Sequence, residues 1–317
     1  MTQSPKKPLP IALIKALRLK QAPKNLFVYV ALVFSNNLFQ PALLGMVTVA
    51  FVMFCLVAGS VYLLNDILDV EADRKHPKKC LRPISSGDLP IPVARVVSVL
   101  LMVGCTAVSF LIGWEFGVVI LAYLILQIFY CFRGKHIVLV DVFALAGGFV
   151  LRTLAGAVII HVPSSQWLLL FSLQIALFLG FGKRRQEIVL LGENADKHRA
   201  ILEDYSLPFL DQILVMIAGV TIVCYSVYSV ESGTAKEHIP HLWITVPMVI
   251  YGICRYLYLV YQKGWGGAPD EALREDRGLR VVILIWLVTV LFLFKFDRPL
   301  NTSKRVGKQI TQTDRGQ

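Results

Sequence analysis

The sequence contains few charged residues. Asp, Glu, Lys and Arg make up 17% of its 317 residues, whereas an ordinary soluble domain contains about 25%. The chain also lacks a phosphate-binding P-loop, the glycine fingerprint of dinucleotide-binding domains and the G-x-S-x-G elbow of many hydrolases. None of its six cysteines belongs to a C-x-x-C pair. These absences argue against the common soluble nucleotide-binding and hydrolase classes, and they predict neither a zinc site nor a disulfide framework.

Long apolar runs are abundant instead. Hydrophobic residues make up 56% of the chain, and its mean hydropathy is +0.64. A helix of about 20 apolar residues can cross the roughly 30 Å hydrocarbon core of a bilayer. Nine runs of suitable length lie at about 25–40, 42–64, 91–113, 115–132, 137–160, 164–182, 207–229, 240–260 and 279–296. The first of them is the least regular, because Asn36, Asn37 and Pro41 interrupt it.

These runs predict an all-α, polytopic membrane helix bundle of about nine transmembrane helices. We expect a single domain over residues 1–317, with a basic N-terminal segment at 1–24 and a flexible C-terminal tail at 297–317. The tail carries five Lys and Arg residues. Nine spans would place it on the opposite side of the membrane from the N-terminal segment, which is at odds with that charge.

Basic residues occur in alternate loops. Apart from the N-terminal segment, they occupy the loops at 65–90, 131–136, 183–206 and 261–278. The loops between these contain only Lys236. The positive-inside rule therefore places the basic loops in the cytoplasm, which predicts a multi-pass protein of the inner (plasma) membrane. Membrane topology accounts for this charge, and the loops lack the aromatic residues that nucleic-acid binding would favour, so we predict no nucleic-acid partner.

An acidic motif, N-D-x-x-D-x-x-x-D, directly follows the second run. If that helix continues past Leu64, then Asn65, Asp66, Asp69 and Asp73 lie within an arc of about 100° on its surface. Three neighbouring carboxylates repel one another unless a cation lies among them, and Mg²⁺ combines carboxylate ligands with substrate phosphates. We therefore predict that Asp66, Asp69 and Asp73 bind Mg²⁺ and are catalytic. The alternative is that these acids pair with the bases that follow them in a solvated loop.

The segment "HPKKCLRPISSG" follows the acidic motif. Pro77 should break the helix and return the loop towards the acids, together with Lys79 and Arg82. Arginine offers a fork for phosphate oxygens and lysine a point charge, so this loop is predicted to bind phosphate. A simple topology signal would explain these charges but not the spacing of the acids, the proline and the glycine.

A second polar cluster opens the loop after the sixth run, in "FGKRRQEIVLLGENADKHRAILEDYS". Lys183, Arg184 and Glu187 lie within about 100° on one helical face. Because the loop belongs to the basic side, it can face the acidic motif across the bundle. A solvated charged face is the alternative interpretation.

Further polar residues mark the fifth run. Tyr130, Lys135 and Asp141 lie at its entrance, and Arg152 lies deep within it. An arginine at that depth costs at least ~2.5 kcal/mol unless it faces a polar interior. We therefore expect Arg152 to point into the bundle, towards Asp141 or a phosphate. A purely structural intramembrane pair is the alternative.

Together these features resemble the UbiA superfamily of intramembrane prenyltransferases, over almost the whole chain up to about residue 296. The aromatic prenyltransferases of that superfamily usually carry a second aspartate-rich motif after the sixth span, where this chain reads "GKRRQE". Three other stretches are similar to its decaprenyl-phosphate phosphoribosyltransferase branch: "DVEADRKHPKKCLRPISSG", the Y-x4-K-x5-D pattern from Tyr130 to Asp141, and "FGKRRQE". The early "LRLKQAPKN", which contains Lys24 and Asn25, is similar as well.

This resemblance implies Mg²⁺-dependent transfer of 5-phosphoribose from phosphoribosyl pyrophosphate to a polyprenyl phosphate, for arabinofuranose-donor synthesis in the cell envelope. A homo-oligomer is possible, and how the site residues divide between the two substrates stays open. The residues expected to bind the donor are Asn65, Lys79, Arg82, Tyr130, Lys135 and Asp141. Those expected to bind the lipid phosphate are Lys24, Arg152, Lys183, Arg184 and Glu187.

Two alternatives remain. A prenyltransferase that moves a polyprenyl group from its diphosphate to an aromatic or glycerol acceptor would use the same fold, but it should have acids in place of "GKRRQE". A lipid transporter belongs to another class, and it is disfavoured because the polar residues gather at one face rather than at the membrane midplane.

Overall fold

A computed structural model describes residues 8–35, 37–77, 79–191, 200–265, 272 and 275–296. The tail at 297–317, which we predicted to be flexible, lies outside the described residues, as do residues 1–7 of the basic N-terminal segment. Throughout the described part of the chain, every regular element is helical, which confirms the predicted all-α class.

Twelve α-helices follow one another in this part of the chain. They are α1 (Leu9–Ala16), α2 (Val30–Phe34), α3 (Pro41–Leu68), α4 (Val70–Lys75), α5 (Ile91–Ile112), α6 (Trp114–Phe132), α7 (Val140–Ile159), α8 (Gln166–Leu191), α9 (Leu207–Glu231), α10 (Gly233–His238), α11 (Val246–Tyr258) and α12 (Arg277–Phe296). Short 3₁₀ turns cover Lys79–Leu81, Gly134–His136, Ala200–Leu202 and Leu242–Thr245, a longer 3₁₀ segment covers Leu19–Tyr29, and a π-turn covers Leu259–Lys263.

Eight helices among the described residues are long and apolar enough to cross a membrane. They are α3, α5, α6, α7, α8, α9, α12 and the continuous helical stretch Leu242–Lys263 that contains α11. Each of them coincides with one of the predicted runs from the second to the ninth. The roughly nine spans expected from the sequence are therefore consistent with the fold, and only the first run differs.

The first predicted span, at 25–40, forms the 3₁₀ segment Leu19–Tyr29 and the short helix α2 rather than one long α-helix. Pro23 lies inside it and has no N–H to donate, which works against a regular α-helix. A 3₁₀-helix rises about 2.0 Å per residue, so the 3₁₀ segment and α2 together extend about 30 Å. We call Leu19–Phe34 the first pass; it is long enough to cross the bundle, which would bring the number of spans to nine.

Contacts at both ends of this pass support a crossing. Arg18, which precedes it, binds Asp66 at the end of α3. Phe34, which ends it, stacks edge-on against Tyr228 near the end of α9, with ring centroids 5.4 Å apart. In between, its backbone touches α7 at Gly156, where an added Cβ would lie 1.8 Å from the carbonyl oxygen of Val28. No larger residue fits there without moving the segment.

Helix α7 joins the two halves of the core. Its first turns pack with α8, α9 and α11, where Val142 and Phe181 are buried. Its later turns pack with α3, α6 and the first pass, where Ala155 and Phe54 are buried. We call the polar end of the bundle the end at which α3, α6 and α8 finish and α7 and α9 begin. The predicted site residues, apart from Lys24 and Arg152, lie at this end.

Candidate active site

The acidic motif lies where α3 ends. This helix stops at Leu68, Asp69 takes its C-cap position with φ −95° and ψ 7°, and α4 begins at Val70. The predicted continuous helix through residues 65–73 is therefore interrupted at Asp69. As a consequence, Asp66 and Asp73 both bind Arg82, whereas Asp69 binds Lys135.

Arg82 bridges Asp66 and Asp73, as predicted for the returning loop. Its Nη1 lies 3.2 Å from Oδ1 of Asp66 and 2.5 Å from Oδ2 of Asp73. Both carboxylates are buried, and Arg18 also donates a hydrogen bond to Asp66. Lys79 lies in the 3₁₀ turn just before Arg82, and its backbone N–H donates to Nδ1 of His76 at 3.2 Å. That the Lys79 side chain binds phosphate stays a prediction.

Asp69 connects the acidic motif to the loop between α6 and α7. Its Oδ1 accepts a hydrogen bond of 2.5 Å from Nζ of Lys135, and its Oδ2 accepts one of 3.0 Å from Nδ2 of Asn65. Its side chain is 31% exposed, so Asp69 is the most accessible acid of the three. The Y-x4-K-x5-D loop therefore contacts the acidic motif through Lys135.

The first cluster consists of three carboxylates and three cationic side chains. Its members are Asp66, Asp69, Asp73, Arg18, Arg82 and Lys135. Paired in this way the charges balance, which accounts for how two carboxylates can be buried so close together. Sequence reasoning missed Arg18; the available signal was a lone arginine between the apolar helix α1 and the start of the first pass.

The three aspartates do not all share one partner, and that they bind one Mg²⁺ ion stays a prediction. No group of three His, Cys, Asp or Glu side chains among the described residues is arranged to hold a metal ion. The reason is the helix break at Asp69, which turns that carboxylate towards Lys135. The chemistry of the donor set nevertheless fits Mg²⁺, because carboxylate oxygens are its preferred protein ligands. The paired cations suit phosphate oxygens equally well.

The second cluster lies where α7 begins and α8 ends. Arg184 is 1% exposed; its Nε lies 2.6 Å from Oδ2 of Asp141, and its Nη1 lies 2.6 Å from Oε2 of Glu187. The hydroxyl of Tyr205 donates to Oδ1 of Asp141 at 2.8 Å. We use the name second cluster for Asp141, Arg184, Glu187 and Tyr205, of which Tyr205 was not predicted from the sequence.

Lys183 lies beside the second cluster and is accessible. Its side chain is 49% exposed, and its Nζ lies 4.0 Å from Oε1 of Glu187. The predicted common face of Lys183, Arg184 and Glu187 is confirmed. Tyr130 is close enough to Arg184 to interact with it electrostatically, so the predicted entrance residues of the fifth span do meet the two clusters.

Arg152 points into the bundle, as predicted, but its partners are neutral. It donates to Oδ1 of Asn25 at 2.7 Å, to the hydroxyl of Tyr123 at 2.8 Å and to the carbonyl oxygen of Gly148 at 2.8 Å. Asp141 is not its partner, because the two residues are 11 positions apart and therefore about 16 Å apart along α7. Lys24, exposed on the 3₁₀ segment, directly precedes Asn25.

The sequence profile of the UbiA prenyltransferase family matches residues 25–187, about half of the chain. The matched region contains the acidic motif, the α6–α7 loop and the stretch from Lys183 to Glu187. This chain belongs to the UbiA prenyltransferase family. The family expected from the motifs is thus confirmed, and with it a multi-pass membrane protein.

Curated relatives extend the match of this UbiA chain over nearly its full length. It is 36% identical over 299 residues to the decaprenyl-phosphate phosphoribosyltransferase of Mycolicibacterium smegmatis, which covers 91% of this chain and 94% of that relative. It is also 36% identical over 295 residues to the protein of the same name from Corynebacterium glutamicum, covering 91% of this chain and 88% of the relative.

A solved structure has the same fold. It is a UbiA homolog from Archaeoglobus fulgidus bound to GPP and Mg²⁺, with a TM-score of 0.68 and 15% sequence identity, covering 90% of this chain and 99% of that one. At this identity the likeness shows the UbiA fold alone. The substrate of the present chain has to be argued from its own residues and from its curated relatives.

Proposed function

We propose that this UbiA protein transfers 5-phosphoribose from phosphoribosyl pyrophosphate to a polyprenyl phosphate such as decaprenyl phosphate. A phosphate oxygen of the lipid forms the new bond to C1 of the ribose, the bond from C1 to pyrophosphate breaks, and pyrophosphate leaves. The observation that carries the proposal is the different make-up of the two clusters. The first holds the acids and bases that a metal–pyrophosphate complex needs, whereas the second is built around a buried arginine beside an exposed lysine.

The first cluster would bind the donor by exchanging partners. Arg18, Arg82 and Lys135 would release the carboxylates and bind pyrophosphate oxygens, and each such charged hydrogen bond is worth about 1.5–3 kcal/mol. Asp66, Asp69 and Asp73 would hold Mg²⁺, which, when bound, neutralises charge on the leaving pyrophosphate. Asn65, whose amide donates to Asp69, would bind the ribose or its phosphate. This exchange explains why both signs of charge occur in one buried cluster.

The second cluster would face the lipid acceptor. A polyprenyl phosphate is already an anion, so it needs positioning and charge screening rather than a strong base. Lys183 is exposed beside the second cluster and would bind the lipid phosphate. Arg184 is buried and would hold Asp141 and Glu187 in position. The assignments of Lys24 and Arg152 to the lipid side stay predictions. Lys24 lies on the first pass and Arg152 lies on α7 against that pass, so neither belongs to the second cluster.

We also propose that the polar end faces the cytoplasm of a cell whose inner membrane holds the protein. The basic loops 65–90 and 131–136 belong to this end, together with the described part of 183–206, and positively charged loops remain on the cytoplasmic side. A water-soluble, anionic donor would then reach the first cluster directly. The lipid acceptor would approach from within the bilayer.

A transfer assay tests the proposed function. Purified protein is incubated with labelled phosphoribosyl pyrophosphate, polyprenyl phosphate and Mg²⁺, and labelled lipid is measured. We expect the wild type to form it, and Asp66→Asn to lower kcat/KM by about 100-fold, because one charged contact is lost where charge develops. Asp276→Asn is the matched control, since it also removes an aspartate paired with arginine, but outside both clusters.

Three results would count against this proposal. Wild-type protein that forms no labelled lipid but prenylates an aromatic or glycerol acceptor would assign it to the other enzyme class. Equal activity of Asp66→Asn and Asp276→Asn would show that the acidic motif has only a structural role. Full activity after removal of divalent metal would show that the reaction does not require Mg²⁺.

A further inference from the structure

The chain is strained where it enters α7. Leu139 has φ 66° and ψ −43°, and the N–H of Val140 donates to the carbonyl oxygen of Val138 at 2.8 Å. These three residues therefore form a γ-turn with positive φ, which is rare and strained, above all at a bulky residue. Such strain persists only where the surrounding structure holds it in place.

One hydroxyl group holds this turn. The backbone N–H of Leu139 donates to the hydroxyl oxygen of Tyr205 at 2.7 Å, and the same hydroxyl donates to Oδ1 of Asp141 at 2.8 Å. Tyr205 is buried, and its ring stacks on Phe209 with centroids 6.3 Å apart. Burial raises the pKa of Tyr205 above that of an ordinary phenol, so the hydroxyl keeps its proton and can donate it.

The contact with Asp141 reaches the rest of the second cluster. Oδ1 of Asp141 accepts from Tyr205, and Oδ2 accepts from Arg184, so both oxygens of this fully buried carboxylate are engaged. Arg184 in turn binds Glu187, the neighbour of Lys183. The rotation of the Asp141 carboxylate, and through it the position of Arg184, therefore depends on Tyr205.

We propose that Tyr205 is a positioning residue for the lipid-phosphate side of the site. It clamps the γ-turn at Leu139 and orients Asp141, which fixes Arg184 and Glu187 beside Lys183. This inference rests on the proposed function, because it assigns the second cluster to the acceptor. Because the hydroxyl of Tyr205 is bonded to Leu139 and Asp141, we assign it a role through Asp141 rather than on a substrate.

The test is Tyr205→Phe, which keeps the buried ring and removes only the hydroxyl. We expect the KM for polyprenyl phosphate to rise about tenfold, since a hydrogen bond to a charged group is lost, while the KM for phosphoribosyl pyrophosphate stays within about twofold. Tyr225→Phe is the matched control. Its hydroxyl is also buried and bonded, to Thr245 at 2.6 Å and to Trp286 at 2.8 Å, but it lies towards the opposite end of α9.

A purely structural role would give another pattern. In that case Tyr205→Phe and Tyr225→Phe would both lower the thermal midpoint, and neither would change the ratio of the two KM values; this result would overturn the inference. If the wild type is active and Tyr205→Phe shows the wild-type ratio, the inference fails while the proposed function stands. If the wild type transfers no phosphoribose, the proposed function fails first.

A double-mutant cycle tests the route through Asp141. When Tyr205 acts by orienting that carboxylate, adding Tyr205→Phe to Asp141→Asn should change kcat/KM for polyprenyl phosphate by less than about twofold further. If instead the fold-change in kcat/KM of the double variant equals the product of the two single fold-changes, Tyr205 acts independently of Asp141 and the proposed route is wrong.

Discussion

At the scale of single residues, Lys183 and Arg184 show what burial does to neighbouring cations. In the sequence they are adjacent and alike, but the Lys183 side chain is 49% exposed and that of Arg184 only 2%. An exposed lysine can meet a lipid phosphate, whereas a buried arginine enclosed by two carboxylates stabilises its surroundings. Replacing Lys183 should therefore change substrate binding, whereas replacing Arg184 should change stability.

We expect Lys183→Ala to raise the KM for polyprenyl phosphate roughly tenfold or more with little change in stability. Arg184→Ala should instead lower the free energy of unfolding by about 3–5 kcal/mol, because it leaves the buried Asp141 unpaired. The measurements are the KM for each substrate and the thermal midpoint in detergent, with Lys183→Arg as the control that keeps the charge. A stable Arg184→Ala protein with a selective loss of lipid affinity would show that Arg184 meets the phosphate directly.

At the scale of elements, Asp276 secures the start of α12. Its Oδ1 accepts from the N–H of Leu279 at 2.6 Å, as an N-cap does, and its Oδ2 accepts from Nη2 of Arg255 at 2.7 Å. The hydrogen bond from Arg255, aided by the helix N–H groups, lowers the pKa of Asp276 below its usual value. The carboxylate therefore joins α11 to α12 and caps α12 at the same time.

This lowered pKa gives the stability a pH dependence of known sign. The charge of Asp276 stabilises the fold above the ordinary aspartate pKa of about 3.9, and the contribution is lost as the pH falls through the lowered value. Asp276→Asn, which can still cap the helix, should cost about 1 kcal/mol near pH 7 and almost nothing near pH 2. Thermal midpoints of both proteins at each pH check this; an equal difference at both values would exclude the charge as the cause.

At the scale of the whole molecule, the direction of α9 determines on which side of the membrane each end of the bundle lies. Glu71 lies at the polar end. Glu231 ends α9, about 37 Å from the polar end, so the two residues should lie on opposite sides of the membrane. In inner-membrane vesicles whose cytoplasmic face is outward, an impermeant thiol reagent should label Glu71→Cys and leave Glu231→Cys unlabelled. In intact cells with a permeable outer envelope the pattern should reverse. Both sites are well exposed, and the parent protein supplies the background from its native cysteines; the opposite pattern would invert the topology.

The spans and the acidic motif could be read from the sequence because they are local properties. An apolar run of 20 residues is a helix in lipid whatever its neighbours are, since unpaired backbone groups are too costly there. The return of Arg82 to the acids was predictable as well, because Pro77 and a short loop leave little choice of direction. The break at Asp69 was not, because the helical pattern continues through it and Lys135, the partner of Asp69, lies in another loop.

The tertiary structure decided which partner each buried polar side chain binds. Arg18 and Asp66 are 48 positions apart, Tyr205 and Asp141 are 64 apart, and Arg152 and Asn25 are 127 apart. A charged side chain in a low-dielectric interior must find a partner, so the sequence by itself determined that Arg152 would be bound and that the acids would face cations. Which partner each one found depends on which helix ends meet, and that follows from the packing of α3, α7 and α8 against one another and against the first pass.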